Sequence, residues 1–216
     1  WYTYNIETSK YTELTKGKIF YNELSDYPDY PRSYGSAGWT KDDKSLLIYD
    51  RYDIWEFDPN GLKSKRLTNG REDRITFRYL KLDPEEIFID LSKNILISTF
   101  NEITKDGGYY EYNYGKSNGV QLVNGPYRFS RPKKARLNDK LIYTKQSFEE
   151  FPNIISSDLN FESNKVISDA NPQQANYNWG TTELVNWTSL DGIPLTGILV
   201  KPENFDPNKK YPMIVN

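Results

Sequence analysis

The chain has 216 residues, which is enough for one large domain or two small ones. Its 28 basic and 30 acidic residues leave a formal net charge of -2, so the composition carries no electrostatic footprint for nucleic acid. Cysteine is absent, which excludes disulfides and thiol chemistry, and no apolar run approaches the roughly 20 residues of a membrane helix.

Four stretches of the chain close with a similar phrase: "TSKYTELTKG", "GLKSKRLTNG", "KSNGVQLVNG" and "FESNKVISDA". Each reads as a polar turn, a short strand with an apolar residue near its end, and a further turn. The apolar markers are Leu14, Leu67, Leu122 and Ile167, which are 53, 55 and 45 residues apart. Propeller blades run roughly 40 to 50 residues with loop insertions, so the repeat predicts blades of a β-propeller.

The strands predicted inside the units follow one order. The first unit holds two closing strands, in "WYTYNIETSKYTELT". The second holds "KSLLIYDR", "DIWEFDP" and "SKRLT", with Pro59-Asn60-Gly61 as a tight turn, because Asn and Gly tolerate positive φ. The third unit, from "EEIFIDL" to "GVQLV", is longer and is predicted to carry an extra strand or hairpin extension. The fourth, from "ARLNDK" to "NKVIS", repeats the plan of the second.

A β-sandwich is the alternative fold, since it also has short strands and frequent turns. A sandwich gives no reason for one closing phrase to recur at blade-like intervals, and the propeller is therefore favoured. Residues 1–172 are assigned to partial β-propeller blades, as four-stranded antiparallel sheets in an incomplete ring.

The pattern changes from residue 173 onward. An Asn/Gln-rich connector leads to "LVNWTS" and "LTGILVKP", predicted as a hairpin around Asp191-Gly192. The proline-bearing loop "ENFDPNKKYP" follows, and "MIVN" is predicted to begin an apolar strand of the kind buried in an α/β sheet.

These last residues, read as W-T-S-x-D-G-x-x-L-x-G-x-L-x-x-P-x-x-F-D-P-x-K-K-Y-P-x-I-V, resemble the prolyl oligopeptidase family of serine peptidases. The family includes dipeptidyl peptidase IV-like and acylaminoacyl peptidase-like branches. The resemblance is specific from Glu183 to Val215, and upstream it rests on blade periodicity alone. It implies a β-propeller followed by an α/β-hydrolase domain with a Ser-Asp-His triad, the serine lying on a Gly-x-Ser-x-Gly elbow.

The triad is not present in this sequence. The chain has no histidine, and no serine has glycines at both the minus-two and plus-two positions. We therefore expect residues 173–216 to be a connector and the N-terminal strands of a truncated hydrolase domain, and the chain alone to be inactive. No initiator methionine or signal segment is visible, and we expect targeting information to lie outside the chain.

Several polar clusters have both a functional and a structural interpretation. Glu149-Glu150 suggests a clamp for a peptide amino terminus, but a solvated strand end is favoured. The carboxylates in "LDPEE" (Asp83, Glu85, Glu86) are interpreted as a turn, and Arg71, Arg74 and Arg78 as a charged connecting loop rather than a carboxylate site. The stretch "SDYPDYPRSYGSAGW" is interpreted as a linker whose tyrosines cover blade edges. Asn186-Trp187-Thr188 matches a glycosylation sequon in an apolar strand context.

The sequence therefore predicts no catalytic, cofactor-binding or metal-binding residue in this chain. For the full-length protein the expected partner is a peptide substrate, with no nucleic acid partner, no membrane span in this segment, and self-association of the chain made alone. An extracytoplasmic location is favoured over a cytoplasmic one. A non-catalytic propeller that binds protein or carbohydrate is the alternative function.

Overall fold

The structure, a computed structural model, describes residues 1–115 and 119–215. It is mainly β, and its antiparallel sheets follow one another along the chain. The first element is a hairpin of β1 (Tyr2–Asn5) and β2 (Lys10–Glu13). The last is the terminal hairpin, formed by β16 (Thr181–Thr188) and β17 (Pro194–Lys201).

Three larger sheets lie between the two hairpins. Sheet I has the order β3 (Ser36–Trp39), β4 (Leu46–Tyr49), β5 (Ile54–Phe57), β6 (Ser64–Arg66). Sheet II has the order β7 (Ile75–Tyr79), β8 (Ile95–Asn101), β9 (Gly107–Tyr112), β10 (Val120–Gly125). Sheet III contains β11 (Arg128–Phe129), β12 (Lys133–Lys134), β13 (Lys140–Gln146), β14 (Asn153–Asp158) and β15 (Lys165–Val166). Short 3-10 turns cover Lys41–Asp43 and Pro172–Asn176.

The first strand of sheet III is interrupted. Both β11 and β12 pair with β13, on either side of a three-residue gap that ends in Pro132. Proline has no N–H to donate to the ladder, which accounts for a break at this point. Sheet III is therefore a four-stranded sheet whose edge strand is split in two.

Each sheet packs against the next through a separate apolar core. In β4, alternate side chains serve two cores: Leu46 and Ile48 face the first hairpin, while Leu47 and Tyr49 face sheet II. This explains the unbroken apolar run "LLIY", because a strand that is covered on both faces has no solvent-exposed face on which polar residues would alternate. A third core joins sheets II and III around Tyr109.

The closing phrases predicted from the sequence mark equivalent places in the structure. Leu14, Leu67 and Ile167 each follow directly on the last strand of a sheet, and Leu122 lies within β10. The N–H groups of three of them donate to a carbonyl 13 residues earlier, at Trp1, Ile54 and Ile154, over 2.9, 2.8 and 2.9 Å.

The residue after each of these three markers carries a hydroxyl, which forms what we call the hydroxyl latch. The Thr15 oxygen accepts from the terminal ammonium of Trp1 at 2.7 Å, and those of Thr68 and Ser168 accept from the backbone N–H groups of Ile54 and Ile154 at 3.1 and 2.8 Å. In sheet I the Thr68 hydroxyl donates to Asp53 at 2.7 Å, and in sheet III the Ser168 hydroxyl donates to Asn153 at 2.8 Å. The side-chain oxygens of Asp53 and Asn153 also accept the N–H of Gly70 at 2.6 Å and of Ala170 at 2.8 Å.

Sheet II departs from this pattern. Val123 follows the marker Leu122 and has no hydroxyl, and β10 carries a bulge between Gln121 and Val123. Beyond the bulge, β10 continues its pairing as far as Gly125 opposite Gly107. The turn Lys116–Asn118, which belongs to the third closing phrase, lies outside the described residues.

Several details of the sequence prediction are wrong. The extra strand expected in the third unit does not form: its Ile89 makes only an isolated bridge with Thr40. The hairpin turn at Asp191-Gly192 is longer than two residues, because Ser189 and Ile193 close it by a hydrogen bond of 2.8 Å. Residues 213–215 of the predicted strand "MIVN" form no strand, and Asn216 lies outside the described residues.

The C-terminal part contains no α/β domain within the described residues, which show only a 3-10 turn, the terminal hairpin and a loop from residue 202. A strand such as "MIVN" needs neighbours on both edges, and the described chain supplies none. In the part of the chain that the structure describes, no helix has the length and apolarity needed to cross a bilayer.

Candidate functional site

A cleft lies between the face of sheet II and the first strand of sheet III. We call it the inter-sheet cleft, and its volume is about 520 Å³. Ligand pockets in proteins commonly measure about 300 to 1,000 Å³. Its lining residues are Leu80, Ser98, Thr99, Phe100, Lys105, Gly107, Gly108, Tyr109, Tyr127, Arg128, Phe129, Ser130 and Arg131.

Two glycines at the cleft allow the backbone of neighbouring segments to approach closely. A Cβ on Gly107 would lie 2.5 Å from the carbonyl oxygen of Tyr127, and one on Gly108 would lie 2.4 Å from that of Val123. Both distances are far inside van der Waals contact. A side chain at Gly107 would push the chain at Tyr127, just before β11, away from β9, whereas one at Gly108 would push β10 away. Gly107 at the start of β9 therefore sets the width of the cleft.

Aromatic rings form much of the interior. Tyr109 and Phe129 have ring centroids 5.3 Å apart, and Tyr127 lies 6.1 Å from Phe129. Burial raises the pKa of Tyr109, and Tyr143 adds to the shift, so the phenol stays protonated. Its hydroxyl donates to the carbonyl oxygen of Ser130 and ties β9 to β11.

The rim of the cleft is cationic. Lys105, Arg128 and Arg131 all line it and are exposed, and no acidic side chain is present in the described lining. The ammonium of Lys105 donates to the carbonyl oxygen of Glu102 at 2.5 Å. A low-dielectric wall beside unneutralised cations concentrates a positive potential, so the cleft attracts anionic groups.

The three arginines considered from the sequence lie outside this cleft. Arg71 binds two carboxylates of the chain itself, Glu23 at 2.9 Å and Asp50 at 3.4 Å, and the hydrogen bond to Glu23 is the main cause of its raised pKa. Arg78 is on β7, where burial lowers its pKa and its guanidinium donates to backbone carbonyl oxygens of residues 50–52 and 77. Arg74 is an exposed turn residue with φ 55°.

The acidic pairs lie in turns. Glu149 and Glu150 are between β13 and β14, where Glu150 pairs with Lys145 at 3.2 Å. Asp83 and Glu85 form a turn after β7, in which the Asp83 side chain accepts the N–H of Glu85 at 2.9 Å. Glu86 has a contact that the sequence did not reveal, since its carboxylate accepts the hydroxyl of Tyr79 at 2.5 Å.

The tyrosine-rich linker covers sheet edges only in part. Tyr34 packs against the core between sheets I and II, and its hydroxyl accepts the N–H of Glu23 at 2.9 Å. Tyr27 and Tyr30 are 79% and 94% exposed, so the expectation that they cover an edge is wrong. Asn186 of the sequon is exposed on β16, where its side chain accepts the hydroxyl of Thr196 at 2.7 Å.

Within residues 1–115 and 119–215, no group of three or more carboxylates gathers at distances that would hold an ion. The inter-sheet cleft was missed by the sequence reasoning, although two signals for it exist. They are the adjacent glycines Gly107-Gly108 and the two arginines of "RFSR" at 128–131.

The chain is similar in fold to known peptidase structures. No family model and no curated protein matches its sequence. Two structures of the AtxE2 isopeptidase, one with Astexin3-dC4 bound and one apo, match 97% of the chain at 12% identity, with TM-scores of 0.56 and 0.53. A structure from a study of two prolyl endopeptidases matches 78% of the chain at 13% identity, with a TM-score of 0.39 that is too low to carry an argument.

The chain spans 30% of the length of the AtxE2 chains. At this identity the likeness shows a shared fold and does not transfer an activity. The structural neighbours of this β-rich chain thus include peptidases.

Proposed function

We propose that this chain is part of a serine peptidase of the prolyl oligopeptidase family. Residues 1–172 are blades of a β-propeller that restricts access to the active site. Residues 173–216 are a connector and the first strands of an α/β-hydrolase domain. The peptide-cleaving serine, aspartate and histidine belong to the rest of the protein, and the reaction is acyl transfer from a peptide bond to serine and then to water.

The observation that carries the proposal is the fold match to the AtxE2 isopeptidase over 97% of the chain. A match of that extent takes in both the sheets and the C-terminal segment. The C-terminal segment also carries the W-T-S-x-D-G pattern of the family, a second and independent line of support.

The stacking of the sheets supports the propeller. Each sheet packs on the next in chain order, through three successive cores. Sheets I and III also share the 13-residue hydrogen bond and the hydroxyl latch, which a repeated unit explains and a sandwich does not.

The terminal hairpin supports the hydrolase assignment. Its strands pair only with each other within the described chain, and Leu184, Trp187, Ile198 and Val200 are exposed. Strands with apolar side chains in solvent and free backbone edges are suited to a larger sheet that covers them.

The test is covalent labelling with a fluorophosphonate, which reacts with activated serines. We expect the full-length polypeptide to label on one serine outside residues 1–216, and its serine-to-alanine variant at that position to remain unlabelled. The 216-residue chain alone should not label, because it contains no histidine to act as the base. Labelling within residues 1–216, or a folded full-length protein that neither labels nor cleaves peptides, would contradict the proposal.

A non-catalytic binding propeller is the second candidate, and the inter-sheet cleft favours it. The cleft has the size and the mixed aromatic and cationic lining of a binding site. In this second case the full-length polypeptide binds its ligand but does not label.

A further inference from the structure

We propose that the inter-sheet cleft binds a peptide segment through a carboxylate with an apolar side chain beside it. The inference rests on the proposed function in one respect, namely that the protein meets peptides. It assigns a ligand class to a surface of this chain for which the fold alone gives no role.

The charge of the ligand follows from the pairing of the arginines. At the edge where sheets I and II meet, the cations are neutralised: Arg51 binds Glu102 at 2.8 Å, and Arg71 binds Glu23 at 2.9 Å. Arg128 and Arg131, in contrast, form no ion pair with any residue that the structure describes. Two planar guanidinium groups and an ammonium around one cavity suit a carboxylate, which guanidinium binds through two parallel hydrogen bonds.

The apolar part of the ligand follows from the interior. Phe100, near the end of β8, is 44% exposed at the cleft, and Leu80, Tyr127 and Phe129 line the same space. These apolar side chains form a surface that an aliphatic or aromatic side chain of the ligand would cover. A small inorganic anion would use the rim alone and leave this interior in contact with water.

The depth of the cleft is fixed by the backbone rather than by mobile side chains. Gly107 admits β11 to the face of β9, and the hydroxyl of Tyr109 holds the carbonyl of Ser130. Ser130 is also held from sheet III, since its hydroxyl accepts the N–H of Thr144 at 2.8 Å. Arg128 is therefore carried on a strand anchored to both sheets, and Arg131 directly follows the anchored Ser130, which limits the ordering cost of binding.

The experiment measures binding of three probes by calorimetry or ligand-observed NMR, using the full-length polypeptide. The probes are N-acetyl-Ala-Phe with a free terminal carboxylate, the same dipeptide as its amide, and N-acetyl-Phe-Asp-amide, whose only carboxylate is on a side chain. We expect at least one carboxylate probe to bind about tenfold more tightly than the amide, as a charge-assisted hydrogen-bond pair would give. The better of the two carboxylate probes identifies the source of the carboxylate as chain terminus or acidic side chain.

The matched variants are Arg128→Gln combined with Arg131→Gln, and Arg136→Gln as the control. The side chain of Arg136 is 84% exposed and lies outside the cleft. We expect the double variant to lose about tenfold in affinity for the carboxylate probe, with no change for the amide, while Arg136→Gln binds like the wild type. Circular dichroism and melting temperature check that the variants fold. If the double variant does not fold, weakening of carboxylate binding between low and high salt in the wild type takes its place.

Equal binding of the carboxylate and amide probes would overturn the inference, as would a double variant that binds like Arg136→Gln, salt-independent binding, or no binding at all. These results are separable from those for the proposed function. A protein that labels with fluorophosphonate but binds no probe keeps the proposed function and loses the cleft. One that binds the carboxylate probe but does not label keeps the cleft and loses the peptidase.

Discussion

Asp53 is the residue on which the closing turn of sheet I depends. Its side chain is fully buried and accepts from the Thr68 hydroxyl and the Gly70 N–H, while Arg66 lies 3.7 Å away. Burial raises the pKa of this carboxyl, partly offset by those hydrogen bonds. Asn153 occupies the equivalent place in sheet III with a neutral amide and the same two kinds of donor. The oxygen acceptor, rather than the negative charge, is what the two positions share.

Replacing Asp53 separates these two properties. We expect Asp53→Ala to lower the free energy of unfolding by about 2–3 kcal/mol, because the Thr68 hydroxyl and the Gly70 N–H would be buried without an acceptor. Asp53→Asn keeps an oxygen in place and should cost less than half as much. Urea unfolding measures both, with Asn153→Ala as the matched change at the less buried site. If Asp53→Asn is as damaging as Asp53→Ala, the charge is what matters.

The hydroxyl latch could have been found from the sequence, whereas the turn at Phe161 could not. The apolar markers are visible in the sequence, and a Thr or Ser directly follows three of them. Phe161 adopts φ 59°, as Gly61 adopts φ 73° at the equivalent place in sheet I. A left-handed residue usually indicates glycine, but the ring of Phe161 is buried, 4.8 Å from that of Tyr109. Long-range aromatic packing outweighs a local strain of about 1–3 kcal/mol, and such packing is not visible in local sequence.

Between elements, sheets I and II are joined by charge at the turns that follow their second strands. Arg51 of the β4–β5 turn binds Glu102 of the β8–β9 turn through two nitrogens, at 2.8 and 3.3 Å, and the Tyr52 hydroxyl adds a third bond at 2.8 Å. Burial raises the pKa of Glu102, but the hydrogen bonds to Arg51 and Tyr52 outweigh it, and the net shift is downward. The ionised form is therefore the one that the folded state favours.

This contact makes stability depend on acid pH. A carboxyl whose pKa is lower in the folded state stabilises the protein above its unfolded pKa, and that contribution is lost as pH falls through the folded pKa. We expect Glu102→Gln to cost about 1 kcal/mol at pH 7 and nothing once the wild-type carboxylate is protonated. Urea unfolding of both proteins from pH 7 downward measures the difference. The control Glu85→Gln removes an exposed carboxylate 3.8 Å from Arg136 and should show no such trend. A constant gap between wild type and Glu102→Gln would exclude the ionic contribution.

The strands recognised from the sequence were those with apolar runs or clear turns. β4, β5, β6, β16 and β17 are predicted from the sequence, whereas β3 and β7 are not separated from their linkers. β3 is "SAGW", with a glycine and an alanine in four residues, and all five side chains of β7 are half-buried. Edge strands of this kind form because they pair with a neighbouring strand. Their own residues show no pattern from which the strand could be predicted.

For the whole molecule, the terminal hairpin is the part least held by the rest. The connector before it docks on sheet III, since the indole N–H of Trp179 donates to the carbonyl of Phe148 at 2.7 Å. Beyond it, none of the three cores includes a residue of β16 or β17. Met213, Ile214 and Val215 are 72%, 90% and 80% exposed.

We expect the backbone amides of 181–201 in the chain made alone to exchange with solvent much faster than those of β4 and β8, because no core covers the hairpin. Its exposed apolar side chains and free edges should also cause self-association that rises with concentration. Hydrogen exchange followed by mass spectrometry, together with light scattering over a concentration series, measures the two effects. A monomer with a strongly protected hairpin would show that these strands are already complete and would remove this support for the hydrolase assignment.

The connection between sheets II and III is only two residues long. β10 ends at Gly125 and β11 begins at Arg128, and the N–H of Tyr127 donates to the carbonyl of Gly125 at 2.7 Å across Pro126. Sheets I and II, in contrast, are joined by residues 67–74. A two-residue connection allows little relative movement of the sheets, and its proline fixes one of the few backbone torsions, the φ angle of Pro126. The two sheets cannot rotate apart at this point without breaking the pairing between β9 and the end of β10. The inter-sheet cleft is thus preformed and accessible to a ligand before binding. Its width does not change by a hinge motion of the two sheets.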